Sequence, residues 1–229
     1  MIKILILFVL TFISFSKHIE GIDCFILSEN IQSQGTIITV TGQKRMCDCL
    51  DKDELSQYHP DTTEVIFLEN VQYIGAKCFK NLRQLTKITF GSNVKEIGQY
   101  GFYNTKISSL TIPQNIIKIN QNAFSENNEL TNIVFNEDSN AEELILDKYI
   151  FSNCGKLTTF TIPKRLKQFN RNIIDGCDSI NKLIVAEGHS IYKMKDDVLF
   201  SNDYKSLLLY PQWLKNENYV IPEGVGCIV

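Results

Sequence analysis

Apolar residues return at a nearly fixed spacing from Thr63 to the end of the chain, and nothing else in the sequence limits the fold so tightly. Aligned on the first inward residue of each apolar run, the anchors are Val65, Ile88, Leu110, Ile133, Phe160 and Leu183, at intervals of 23, 22, 23, 27 and 23 residues. The long interval holds an acidic insertion, Asn136–Glu143. Three further columns keep the same register: Ile74, Ile97, Ile119, Leu146 and Phe169; Phe79, Phe102, Phe124, Phe151 and Ile174; Leu85, Ile107, Leu130, Leu157 and Ile180. A unit this short cannot enclose a core, so each copy must bury its apolar residues against its neighbours. The expected fold is a β-rich repeat solenoid of stacked parallel strands with short turns on the other face.

The chemistry within one copy agrees. Ile88-Thr89-Phe90, Ile133-Val134-Phe135 and Phe160-Thr161-Ile162 alternate with period two, which predicts strands with the first and third residues facing inward. Pro113 and Pro163 follow the runs and lack the N–H that a ladder needs, so they end the strands. Gly75 and Gly98 interrupt the second run and predict turns. The residues left pointing outward are Ile66, Thr89, Thr111, Val134, Thr161 and Ile184, flanked by Glu64, Lys87, Ser109, Asn132, Thr159 and Lys182. This weakly charged, β-branched strip is the candidate binding face. The competing reading is that β-branched residues simply suit strands and stack well in ladders.

The first 21 residues differ in kind. Met1-Ile2-Lys3 carries one positive charge, and Ile4–Ile13 is almost unbrokenly apolar. That length fits the helix of a secretory signal peptide rather than a bilayer span, which needs about 20 apolar residues. An uncleaved anchor or a buried helix is the alternative. No second long apolar run follows, so the mature chain is expected to lack a membrane span. Residues 22–62 predict an N-terminal cap, with strands at Phe25–Leu27 and Thr36–Val40 and a polar stretch before Pro60. Residues 63–229 then form the solenoid, of about six repeats with the last one incomplete.

Seven cysteines occur in this chain. Export makes a disulfide from Cys24 to Cys47 or Cys49 the expected staple of the cap. Cys154 and Cys177 share one column of adjacent repeats, and either a disulfide or two buried small hydrophobic residues would suit that place. A metal site from Cys47, Cys49 and His59 lacks the Cys-x₂-Cys spacing and a fourth ligand. The formal net charge of −3 offers no basic footprint for nucleic acid. No phosphate-cradling glycine loop, metalloprotease motif or nucleophile–histidine arrangement is present, and no Asn-x-Ser/Thr sequon. Neither an enzyme nor a cofactor is expected.

Leu110-Thr-Ile-Pro113 with Ile119 and Ala123-Phe124, and Leu157 to Pro163, resemble BspA-like leucine-rich repeats. Asn153-Cys154 and Gly176-Cys177 match that family's corner cysteine. Asp197–Phe200 and Leu207–Pro211 are similar to its longer variant unit, and Tyr219–Val225 to the start of another repeat. The resemblance covers about residues 63–226. It implies a secreted or cell-surface protein of the kind found on anaerobic bacteria and parasitic protists, binding or adhering to a host or matrix protein. The chain stops within a repeat, at Cys227-Ile-Val229. Truncation, or an open end covered by a partner or by self-association into a surface coat, is the corresponding expectation.

Overall fold

The computed structural model describes residues 28–32, 35–40, 56, 60–138, 141–215 and 218–228. The expected signal helix, the strand at Phe25–Leu27, the cysteines Cys24, Cys47 and Cys49, and His59 lie outside the described residues.

The chain forms a parallel β-solenoid with almost no helix. The coils from Thr62 to Leu146 each contribute one longer strand and one strand of two residues, and the next coil has a 3-10 turn, Arg171–Ile174, in place of a second strand. The longer strands are β2 (Gly35–Val40), β3 (Thr62–Phe67), β5 (Lys87–Thr89), β7 (Ser109–Ile112), β9 (Asn132–Phe135), β11 (Thr159–Ile162) and β12 (Lys182–Val185). The short ones are β4 (Tyr73–Ile74), β6 (Glu96–Ile97), β8 (Lys118–Ile119) and β10 (Ile145–Leu146). Strands β7 and β11 end immediately before Pro113 and Pro163, as the missing N–H requires.

Anchors pair with anchors: Val65 with Ile88, Leu110 with Ile133, Phe160 with Leu183, all in parallel. The long-strand ladder is broken between β5 and β7 and between β9 and β11, whereas β4, β6, β8 and β10 form one continuous sheet. A third set of inter-coil bonds runs along the phenylalanine column, with Phe79 N donating to Gly101 O (3.0 Å), Phe102 N to Ala123 O (2.8 Å) and Phe151 N to Ile173 O (2.8 Å). Three lines of backbone hydrogen bonds therefore hold successive coils in register. That register stacks Phe79 on Phe102, Phe102 on Phe124 and Phe124 on Phe151 at centroid separations of 5.2, 5.4 and 5.8 Å. All four rings are fully buried. Burying one such side chain is worth about 2–3 kcal/mol, so this one column outweighs every exposed ion pair on the molecule.

Turns follow directly after Gly75 and Gly98, at Ala76 and Gln99. Neither Gly75 nor Gly98 has positive φ. The left-handed positions are instead Lys77, Tyr100, Asn122 and Tyr149, and a second set, Asn81, Asn104, Glu126, Asn153 and Gly176, all with φ between 55° and 70°. These conformations cost a side-chain-bearing residue about 1 kcal/mol or more. Here each is repaid by an amide directed up the stack: Lys77 N to Gln99 O (2.9 Å), Tyr100 N to Gln121 O (3.1 Å), Asn81 N to Tyr103 O (2.8 Å) and Asn104 N to Ser125 O (2.9 Å). Gly98 is a glycine because the preceding coil lies against it; a Cβ there would meet Ala76 N at 2.5 Å and Ile74 O at 2.7 Å.

Strand β2 pairs in parallel with β3, and β1 (Ser28–Gln32) pairs antiparallel with β2. The first rung of the sheet thus lies within the segment read as a cap. Beyond β12 the parallel stacking gives way to an antiparallel meander of β13 (Tyr192–Lys195), β14 (Val198–Ser201) and β15 (Ser206–Leu209), with β16 (Cys227–Ile228) parallel to β15. The cause is local: Asp196 and Asp197 have φ of 52° and 60°, the paired left-handed residues of a tight hairpin. Among the described residues no helix is long and apolar enough to cross a membrane.

Candidate binding face

The pleat of the long strands sends alternate residues to opposite sides. Ile66 stands beside Thr89, Thr111 beside Val134, and Thr161 beside Ile184, so the six residues pair two by two along the long strands. Thr89, Thr111 and Val134 are exposed, and Ile66, Thr161 and Ile184 are half-buried. Val134, at 41% exposure, is the main apolar contact the strip offers. The column extends one residue further than the sequence reading took it: Thr39 of β2 pairs with Ile66. The signal was available, because Ile38 and Val40 are fully buried and the residues between alternate with them.

Two of the charges flanking this strip are matched to each other. Lys87 Nζ lies 2.7 Å from Glu64 Oε1, and Thr89 Oγ1 donates to the same oxygen at 3.5 Å. The short-strand side does likewise, with Lys118 Nζ 2.9 Å from Glu96 Oε1 and Lys95 Nζ 2.9 Å from Glu142 Oε1. Such exposed pairs add only about 0–1 kcal/mol of stability. Their consequence is a surface with little net field, suited to shape recognition rather than to capture of a strongly charged ligand.

Polar side chains also serve the scaffold. Asn93 Nδ2 donates to Glu69 O (2.7 Å) and Asn115 Nδ2 to Val94 O (2.6 Å), each capping the turn of the coil before it. Arg165 holds the equivalent place and caps Pro113 O and Gln114 O. His189 Nδ1 accepts from the amides of Ile191 and Tyr192 (3.1 and 3.2 Å), so Nε2 carries the proton and donates to Leu166 O (3.1 Å). Burial holds this imidazole below the usual histidine range. Among the described residues no group of His, Cys, Asp or Glu is placed to hold a metal ion. Groups with displaced acidity, such as Tyr103, Arg165, His189 and Tyr219, stand on separate coils and form no nucleophile–base constellation.

Cys78, to which the sequence reading gave no role, is disulfide-bonded, and its partner lies outside the described residues. Cys154 and Cys177 are free and buried.

A model of the BspA-type leucine-rich repeat region matches residues 54–181 in six copies. The chain belongs to this family. The matched residues take in the anchors Val65 to Phe160 and end just before Leu183. Several solved structures have a similar fold. A leucine-rich repeat protein from Eubacterium ventriosum superposes with a TM-score of 0.70 at 22% identity, covering 88% of this chain and 53% of that one. The pneumococcal vaccine antigen PcpA gives 0.64 at 20% identity, covering 88% and 58%. A leucine-rich cell-surface protein from Faecalibacterium prausnitzii gives 0.53 at 18% identity, covering 87% and 63%. The chain therefore spans less than two thirds of the length of these proteins. A comparison with curated proteins gave no match.

Proposed function

We propose that this protein is a non-enzymatic, secreted or cell-surface repeat protein that binds a protein ligand through the outward column of its long strands. The observation that carries the reading is the set Thr89, Thr111 and Val134 on successive coils, exposed, β-branched and bordered by the Lys87–Glu64 ion pair. An extended, rigid, nearly neutral strip favours another protein surface over a small charged molecule. The BspA-type family supports a binding role, and the description of one similarly folded protein as a cell-surface protein agrees with an exported location. The apolar stretch Ile4–Ile13 supports export independently. A host or extracellular-matrix protein is the ligand we favour.

The test is a chain of residues 22–229 in which Thr111, Val134 and Thr161 are all replaced by arginine. Loss of attachment to cells or matrix, with circular dichroism unchanged, is the expected result. Unchanged attachment with the fold intact would show that the face does not bind.

A further inference from the structure

Cys154 and Cys177 sit 23 residues apart, one above the other in neighbouring coils. The backbone beside them is paired, Asn153 N to Asp175 O at 2.9 Å and Phe151 N to Ile173 O at 2.8 Å. Each thiol makes the same bond one coil apart: Cys154 Sγ donates to Phe124 O (3.5 Å) and Cys177 Sγ to Phe151 O (2.9 Å). Two side chains related in this way are offset by about one rung, roughly 4.8 Å. Disulfides take Cα separations of about 4.4–6.8 Å. Packing does not demand sulfur here, because Leu82, Thr105 and Asn127 fill the same position in the three preceding coils, all buried.

The two cysteines are not equivalent. Cys177 lines a small cavity of about 90 Å³, shared with Arg171, Asp175, Gly176 and Trp213. Cys154 is fully buried behind it. Their mutual contact is the largest influence on the acidity of both, holding Cys177 below the usual thiol range and pushing Cys154 far above it. Cys177, at 5% exposure, is thus the less enclosed of two buried thiols and also the one that ionises first.

We propose that Cys154 and Cys177 form a paired modification site, in which a small disulfide oxidant enters at Cys177 and leaves a covalent staple between two coils. The Cys177 thiol loses its proton to solvent, and its sulfur attacks one sulfur of glutathione disulfide. The oxidant's S–S bond breaks and one glutathione thiolate departs. Cys154 then loses its proton, and its sulfur attacks Cys177 Sγ and expels the second glutathione as thiolate. Two protein thiols are oxidised to one disulfide, and one small disulfide is reduced to two thiols.

The experiment uses the full chain carrying Cys227→Ser, which removes the exposed free thiol. It is incubated with glutathione disulfide, alkylated after unfolding, and mapped by peptide mass. A linked peptide pair containing Cys154 and Cys177 is expected, with a higher urea midpoint that dithiothreitol reverses. In Cys154→Ser the reaction should stop at glutathione on Cys177, and in Cys177→Ser residue Cys154 should stay unmodified. Recovery of both thiols in alkylated form, or equal glutathione capture by Cys154 in Cys177→Ser, would overturn the proposal. Should either serine variant fail to fold, the parent chain still decides: a link from Cys154 or Cys177 to any other cysteine refutes the pairing.

Discussion

Arg165 Nη1 donates to the carbonyl oxygen of Gln114 at 3.0 Å, across the coil that carries the Asn136–Glu143 insertion. In regular coils an asparagine five residues after the anchor caps the turn below it, as Asn93 and Asn115 do. In the coil that carries the insertion Asp138 stands at this position, and the longer side chain of Arg165 reaches two coils back, to Pro113 and Gln114. Glu137, part of that insertion, turns back to accept from the amides of Lys164 (2.9 Å) and Arg165 (3.1 Å) and lies 3.8 Å from Arg165 Nε. The arginine is only 4% exposed, so its charge and the three carbonyls it caps depend on one another.

Arg165→Ala should therefore destabilise the fold by about 3 kcal/mol, the order seen when one member of a buried charged cluster is removed. Glu137→Gln should cost about 1 kcal/mol, because its amide partners stay solvated or shared. Urea unfolding of the two variants and of their combination measures the coupling. A cost for Arg165→Ala no larger than that of an exposed lysine would contradict the capping role.

Asn127 fills the position that cysteines occupy in the next two coils, but it does different work. Its Nδ2 donates to Phe102 O (3.0 Å) and Phe124 O (2.7 Å), and its Oδ1 accepts from Thr105 N (3.0 Å) and the Thr105 hydroxyl. It is fully buried. Asn127→Ala strands these groups, and a loss of about 2–4 kcal/mol is expected. Amide exchange at Thr105 should quicken more than at neighbouring buried amides. Thr105→Val, which keeps the backbone bond, should cost less than half as much.

The core columns were legible because each is encoded within one repeat: Phe79, Phe102, Phe124 and Phe151 declare themselves by spacing alone, and all four are buried. The outward column followed from the same alternation, short of Thr39. What could not be read depends on the distance between coils. Lys77 and Tyr100 carry no sequence mark of the left-handed region; only the neighbouring coil's carbonyls make that conformation worthwhile. Gly98 was visible, but its reason is the backbone beside it rather than a turn. Arg165 carries no sequence mark of its role, because the carbonyls it caps lie 49 to 52 residues away in sequence. The hairpin at Asp196-Asp197 reads as a solvated corner until both φ values are known.

Acid should loosen the end of the solenoid through His189. Its folded-state acidity is displaced so that the neutral form is favoured, chiefly by burial, and nearby Lys167 acts in the same direction. The unfolded chain, with an ordinary value of about 6.5, then binds more protons as pH falls below that point. Stability attributable to His189 is complete above about pH 7 and is lost on acidification through the ordinary histidine range. Protonation at Nδ1 would also break the bonds from the Ile191 and Tyr192 amides. The urea midpoint should fall between pH 7.5 and pH 5.5 in the parent chain, and this slope should flatten in His189→Gln. An identical slope in both would assign the acid sensitivity elsewhere.

Two glycine substitutions separate the tight seams between coils from the open ones. At Gly98 a Cβ would meet the backbone nitrogen of Ala76 at 2.5 Å and the carbonyl oxygen of Ile74 at 2.7 Å, and neither can move without parting β4 from β6. Gly155, by contrast, has a side-chain oxygen of Asn128 at 3.4 Å as its nearest neighbour and no positive φ. Gly98→Ala is expected to cost about 2–3 kcal/mol, at the upper end of overpacking penalties. Gly155→Ala should be neutral or slightly stabilising, because alanine restricts the unfolded chain. Thermal unfolding of the two single variants, side by side, checks both. A Gly98→Ala protein as stable as the parent would mean that the coils separate more easily than the continuous short-strand sheet implies.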